Sequence, residues 1–176
     1  RNEMSSTGKT WVLCLAIALF GCASLGERPA ASGWAPDAER DAAVMSVLDR
    51  YMDGLNALDL ETHVSTYHFP HYRHASGKVV VWQDSLEAIP ILGVPKAERL
   101  PALRAALESD WVRSEWTRRD IVQADAHKVH VVTRFDRLRA DGSVIKSFNS
   151  LYVLTLDEDD AGALRWGIKG RSSFAP

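Results

Sequence analysis

The stretch Lys128–Leu156, KVHVVTRFDRLRADGSVIKSFNSLYVLTL, decides the fold. Both sides of Ala140-Asp141-Gly142 are rich in β-branched, aromatic and aliphatic residues, and the glycine supplies the positive φ that a tight turn needs. Two long antiparallel strands follow, Val129–Leu138 and Val144–Leu156. A type I turn closed by a Gly142 bulge sets Asp136 opposite Lys146, Arg134 opposite Phe148, Val132 opposite Ser150 and His130 opposite Tyr152. A two-residue turn would face Arg137 with Lys146, a like-charge pair that costs stability, so the bulged register is expected. One face then carries Arg134, Ser150, Tyr152 and His130 among apolar neighbours, a mixture suited to the wall of a ligand cavity.

The chain has 176 residues, 46% hydrophobic and 25% charged, enough for one domain with a core and a tail. A formal charge of -2 leaves no broad basic field for a phosphate backbone, which argues against nucleic acid as a partner. Cys14 and Cys22 are the only cysteines, so the folded part offers no internal disulfide, thiolate metal site or cysteine nucleophile. No internal repeat is visible.

Residues 1–22 read as a signal peptide: Lys9 in a short leader, the apolar run Trp11–Phe20, then Gly21-Cys22-Ala23-Ser24. The apolar run is too short to span a bilayer. Leu19-Phe20-Gly21-Cys22 resembles a bacterial lipobox, which makes Cys22 the expected lipidation site and the cell envelope the expected location. The three residues before Met4 read as an upstream extension. Residues 23–36 lack a periodic face and read as a linker. The folded domain is expected over 37–176.

Within it, Asp37 is the N-cap of a helix running to about Asn56, with Val44, Val47, Leu48, Tyr51 and Leu55 on one stripe. Asp59 caps a second helix through Tyr67. His68–His74 and Val79–Trp82 read as two short strands, with Pro70 pointing to an edge position or a strand start. Asp84-Ser85 caps a turn of helix that Pro90 stops, Ile91–Lys96 reads as loop, and Pro101 as the first residue of a helix to Glu108 that buries Leu103, Ala106 and Leu107. Strands follow at Val112–Gln123, through the opening hairpin, and at Arg165–Phe174. Helices followed by a strand meander imply an α+β fold with helices on one face of a curved antiparallel sheet.

This order resembles the nuclear-transport-factor-2-like superfamily, which includes ketosteroid isomerase, scytalone dehydratase and SnoaL-like polyketide cyclases. The resemblance rests on LDRYMDGLNALDLETHVSTY, on GKVVVW, and on DGSV before SFNSLYVLTL. It implies a curved antiparallel sheet forming a cone packed against N-terminal helices, a pocket for a small, mostly apolar molecule, no cofactor, and a sheet able to serve as a homodimer surface. By the same resemblance Tyr51 matches the oxyanion-donating tyrosine of ketosteroid isomerase, Tyr67 a supporting tyrosine at the same separation, and Tyr152 the second oxyanion donor, where the isomerase has a carboxylic acid. The catalytic aspartate aligns with Ala75, and His74 beside it points to the opposite face of a strand.

His71 is the remaining candidate base, since an imidazole takes up a proton near neutral pH, and strand alternation sets Arg73 on its face. Arg134 is the expected anion clamp, because a buried guanidinium favours a carboxylate or enolate. Catalytic roles thus fall on His71, Tyr51, Tyr152 and Arg134. Tyr67, Arg73, Trp82, Trp116, Phe148, Ser150 and Arg171 are the expected ligand contacts. No metal is expected: His68, His71 and His74 alternate faces of one strand. Ser150 lacks the G-x-S-x-G setting of a nucleophile. Two functional classes follow, a ligand-binding or dimerisation module of the cell envelope, and an acid-base isomerase, dehydratase or cyclase acting on a small lipophilic carbonyl or polyketide-like substrate.

Overall fold

A computed structural model describes residues 35–75, 77–159 and 161–174. The signal peptide, the linker up to Trp34 and Cys22 lie outside the described residues. Helix α1, Ala38–Asn56, starts where the Asp37 carboxylate accepts the N–H groups of Glu39 and Arg40 at 3.1 and 3.0 Å. Helix α2, Leu60–Ser65, starts at Asp59, which accepts from Thr62 N–H at 3.2 Å. In both cases a side-chain oxygen satisfies donors that the first helical turn leaves orphaned. Leu58, with φ 55°, turns the chain between the helices. A Cβ on Gly54 would stand 2.6 Å from the backbone nitrogen of His63, so the α1–α2 corner closes only around a glycine.

Strands β1 (Tyr67–Ala75) and β2 (Lys78–Trp82) follow, then α3 (Ser85–Ala88), a 3-10 turn at Pro90–Gly93 and α4 (Lys96–Ala106). The long strands are β3 (Arg113–Ala124), β4 (Lys128–Leu138), β5 (Val144–Glu158) and β6 (Leu164–Phe174). They form one six-stranded sheet in the order β2-β1-β6-β5-β4-β3. Neighbouring strands are antiparallel except β1 and β6, which run parallel. The α1 stripe Val44, Val47, Leu48 and Tyr51 packs on Val129, Val131, Tyr152, Leu154 and Ile168. Each such fully buried side chain contributes about 1.5–3 kcal/mol relative to exposure, which makes this interface the core of the domain.

Three expectations about local structure change. Pro70 lies inside β1, between two paired strands, at an irregularity of the β1–β6 ladder between Tyr67 and Tyr72 where a ladder N–H is not required. Helix α4 begins at Lys96 and carries Pro101 in its interior, and none of its described residues is buried. Part of the expected loop at Ile91–Lys96 is the 3-10 turn.

The hairpin register is the correction that matters for the site. Its turn is as expected: Gly142 has φ 82°, its N–H reaches Arg139 O at 3.0 Å, and Arg139 N–H reaches Ser143 O at 3.0 Å. Leu138 faces Val144, but a bulge follows at Ile145, and beyond it Arg137 faces Lys146, Phe135 faces Phe148, Thr133 faces Ser150 and Val131 faces Tyr152. A one-residue shift exchanges the faces of a strand. Ser150 and Tyr152 therefore lie beside Thr133 and Val131 on the concave face, whereas Arg134 and His130 turn to the other side. The like-charge pair is tolerated because Arg137 reaches Glu108 at 2.5 Å, and Arg137 and Lys146 both lie over the Phe148 ring, 4.9 and 5.3 Å from its centroid.

Candidate functional site

The α1–α2 corner brings Tyr51 and His63 over the concave face of β1, β6 and β5. His63 Nδ1 lies 2.8 Å from Tyr51 O, and Nε2 lies 3.2 Å from the Tyr67 hydroxyl. A carbonyl only accepts, so Nδ1 carries the proton and Nε2 accepts from the Tyr67 O–H. Burial pulls His63 down to about 4, which keeps the ring neutral in this role. The Tyr67 proton is thereby committed inward, and burial raises its phenol above the ordinary value. Tyr67 holds geometry and has no proton left to donate to a ligand. His63 was not among the expected site residues.

Strand β6 contributes Arg171, directly beside Arg73 in the parallel ladder and directly across from Tyr152 in the antiparallel one. Arg171 Nη1 donates to the Tyr51 hydroxyl. Because that oxygen accepts from Arg171, its own hydrogen is free for another acceptor. The guanidinium carbon lies 5.8, 5.5 and 6.0 Å from the ring centroids of Tyr51, Tyr67 and Trp82. Burial works against the Arg171 charge, and the neutral phenols around it offer dipoles rather than a counter-charge. Tyr152 meets Tyr51 edge to face with centroids 5.7 Å apart, and burial raises its phenol well above the usual range. It is a neutral hydroxyl donor at any physiological pH.

His71 is fully buried, stacked between Tyr67 at 4.3 Å and Trp82 at 5.5 Å. Its Nδ1 lies 2.9 Å from Ile168 O and so carries the proton, which leaves Nε2 as a bare lone pair with no partner among the described residues. Burial first, and the Arg171 cation second, pull His71 down to about 3. Nε2 accepts hydrogen bonds readily but takes up a proton reluctantly, because an imidazolium there would stand beside Arg171 with no carboxylate to balance it.

Arg73 Nη1 donates to Ser173 Oγ at 3.2 Å, and the Ser150 and Ser173 hydroxyls are 3.0 Å apart. Trp116 lies 5.9 Å from Tyr152 and is fixed by its indole N–H on Leu48 O at 3.2 Å. Of the expected residues, Tyr51, Tyr67, His71, Arg73, Trp82, Trp116, Ser150, Tyr152 and Arg171 thus share the concave face. Phe148 shares it too, but at the hairpin end, stacked on Phe135 at 4.8 Å. Arg134 does not: its side chain is exposed, 3.7 Å from Asp136, and the guanidinium groups that face inward are those of Arg171 and Arg73. His74 is exposed, and Ala75 beside it offers no carboxylate. Among the described residues no group of three or more His, Cys, Asp or Glu side chains comes together as a metal site, and no helix is long and apolar enough to cross a membrane.

The chemistry available is hydroxyl donation from Tyr51 and Tyr152, acceptance at His71 Nε2, and two cations. Solved structures share this architecture. A protein of unknown function with a cystatin-like fold from Nostoc punctiforme is 12% identical over 81% of this chain and 96% of its own, with a TM-score of 0.58. A ketosteroid isomerase-like protein from Erwinia carotovora atroseptica is 15% identical, covering 79% and 98%, at 0.52. A protein from Catenulispora acidiphila, in complex with S-DNPA, is 19% identical, covering 79% and 95%, at 0.53. At these identities the likeness is one of fold. No curated protein matches the chain. The sequence profile of an NTF2-like family spans residues 39–161, most of the described fold, and the chain therefore belongs to the NTF2-like protein family DUF6841.

Proposed function

We infer that this NTF2-like domain binds a small, largely apolar molecule against the concave face, with its polar end at Arg171, Tyr51, Tyr152 and His71. The observation that carries the reading is a pair of buried polar atoms without partners among the described residues, His71 Nε2 and Arg171 Nε, on one aromatic-lined face. Such atoms cost stability unless something satisfies them, and a ligand is what this fold is built to receive. Native mass spectrometry of the protein from its source organism tests it. A retained small molecule, lost in Arg171→Met and weakened in Tyr152→Phe, is expected; an empty protein that binds nothing from a lipophilic extract sinks the reading.

The second reading is an acid-base enzyme, an isomerase, dehydratase or cyclase, favoured by the bare His71 Nε2 close to hydroxyl donors. It ranks below binding because His71 is held unprotonated and Ala75 offers no carboxylate. Turnover of ketones, epoxides or hydroxy acids that disappears in both His71→Ala and Tyr152→Phe would promote it.

Export with a lipid on Cys22 completes the proposal, supported by the leader, the apolar run and the lipobox-like Leu19–Cys22. Intact-mass measurement on the protein isolated from cells decides this: a full-length chain with unmodified Cys22 removes the anchor.

A further inference from the structure

We propose that the polar end of the ligand is a carboxylate, seated between the guanidinium groups of Arg171 and Arg73. This rests on the binding reading above and names what the site recognises. Arg73 and Arg171 are immediate neighbours across the β1–β6 ladder, where strands lie about 4.8 Å apart, and both face inward. Among the described residues neither has a carboxylate within salt-bridge distance. The arginines of β3, β4 and the hairpin turn behave otherwise: Arg113 pairs with Glu115, Arg118 with Asp120, Arg119 with Asp49, Arg134 with Asp136, Arg137 with Glu108 and Arg139 with Asp110. The domain pairs its β3–β4 arginines with acids whether they are exposed, as Arg118 is, or largely enclosed, as Arg137 is, and leaves bare the two that face the aromatic lining. A missing anion is the simplest completion.

The donor geometry narrows its class. Arg171 Nη1 donates to Tyr51 and the guanidinium also engages the Tyr152 hydroxyl, whereas Nε is buried and unbonded. Nε is the donor left for one carboxylate oxygen, with Arg73 beside it for the second. Arg73 spends Nη1 on Ser173 and keeps its other donors. The Arg171 guanidinium carbon lies 5.5 to 6.0 Å from the centroids of the Tyr51, Tyr67 and Trp82 rings, aromatic surroundings that suit a carboxylate on a flat aromatic or alicyclic body better than a tetrahedral phosphate.

The test compares 2-naphthylacetate, 2-naphthylacetamide and 2-naphthyl phosphate by calorimetry and by tryptophan fluorescence, Trp82 lying at the site. The acid should bind about tenfold to a hundredfold more tightly than the amide, the difference that charge-assisted hydrogen bonds supply. Arg73→Met and Arg171→Met should each weaken the acid more than the amide, so that the gap between the two closes. Because the acid–amide comparison is made in the unaltered protein, a variant that fails to fold does not obscure it. Saturable binding of the amide equal to or tighter than the acid overturns the carboxylate and leaves the binding reading standing. A phosphate that outbinds the acid overturns it as well, and no binding of any of the three by folded protein removes both.

Discussion

Two halves of one sheet treat their inward and outward arginines in opposite ways. In the β3–β4 half every arginine meets an acid, most of them at least partly in water, whereas in the β1–β6 half Arg73 and Arg171 are enclosed by tyrosines, a tryptophan and serines and meet none. An exposed pair contributes about 0–1 kcal/mol, and a buried charge without a partner costs several times that. Stability alone would distribute the acids the other way. The difference is what the proposed anionic ligand accounts for, since its charge would join the β1–β6 half only after folding.

The largest expected effect concerns protons, because a region that already holds two unbalanced cations resists further positive charge. His63 and His68 are pulled down to about 4 and His71 to about 3, burial being the leading cause in each, with Arg171 adding to the effect on His63 and His71 and Arg165 on His68. A histidine whose folded value lies below its unfolded value of 6.5 contributes stability that is fully present above pH 6.5 and is lost as pH falls towards the folded value. Urea unfolding between pH 7.5 and 4.5 should therefore show a falling midpoint. Each histidine contributes a slope of about 1.4 kcal/mol per pH unit once its unfolded form is protonated. His71→Gln should remove one proton from that slope, and a flat profile would break the account of the β1–β6 half.

Most of the fold was legible because its signals are local. Asp37 and Asp59 cap helices from their own side chains, the α1 stripe repeats at helical spacing, and Asp141-Gly142 makes its turn unaided. What the sequence hid depends on a single residue. Ile145 forms a bulge with neither glycine nor proline to announce it, and that one step exchanged Arg134 for the inward-facing set. Arg171 was legible only as one ligand contact among several, because its central place follows from β6 lying between β5 and the parallel β1. His63 reads in sequence as a basic residue in the last turn of a short helix, the usual helix-dipole position. The signal that could have found it is Gly54, costly inside a helix unless something packs there, and what packs there is the His63 backbone.

The next effect sharpens the comparison by its sign. Arg171→Met removes an unbalanced cation and keeps most of the volume, so in the ligand-free protein the unfolding free energy should rise by about 1 kcal/mol, in line with replacements of buried charge by apolar groups. Arg137→Met leaves Glu108 without its partner and should lower it by up to about 1 kcal/mol. Denaturant melts of the two variants beside the unaltered protein decide the matter. If Arg171→Met loses more than Arg137→Met, then Tyr51 and the three rings compensate the charge fully, and the two halves do not differ in the way described.

The smallest effect tests the register that assigns residues to the two halves. With the Ile145 bulge, Arg137 faces Lys146, and the two cations share the Phe148 ring and one acid, Glu108. A double-mutant cycle with Arg137→Gln and Lys146→Gln should return an unfavourable coupling of about 0.2–0.5 kcal/mol that fades between 0.05 and ~1 M salt, as expected of like charges facing each other on a partly exposed surface. The same cycle on Asp136→Asn and Lys146→Gln should return no favourable coupling, since Asp136 faces Ser147 and lies near Arg134. Attraction between Asp136 and Lys146 would mean that the bulge is absent in solution. Ser150 and Tyr152 would then share a face with Arg134 and His130, and the inward place of Arg171, opposite Tyr152 in the next ladder, would have to be argued again from the start.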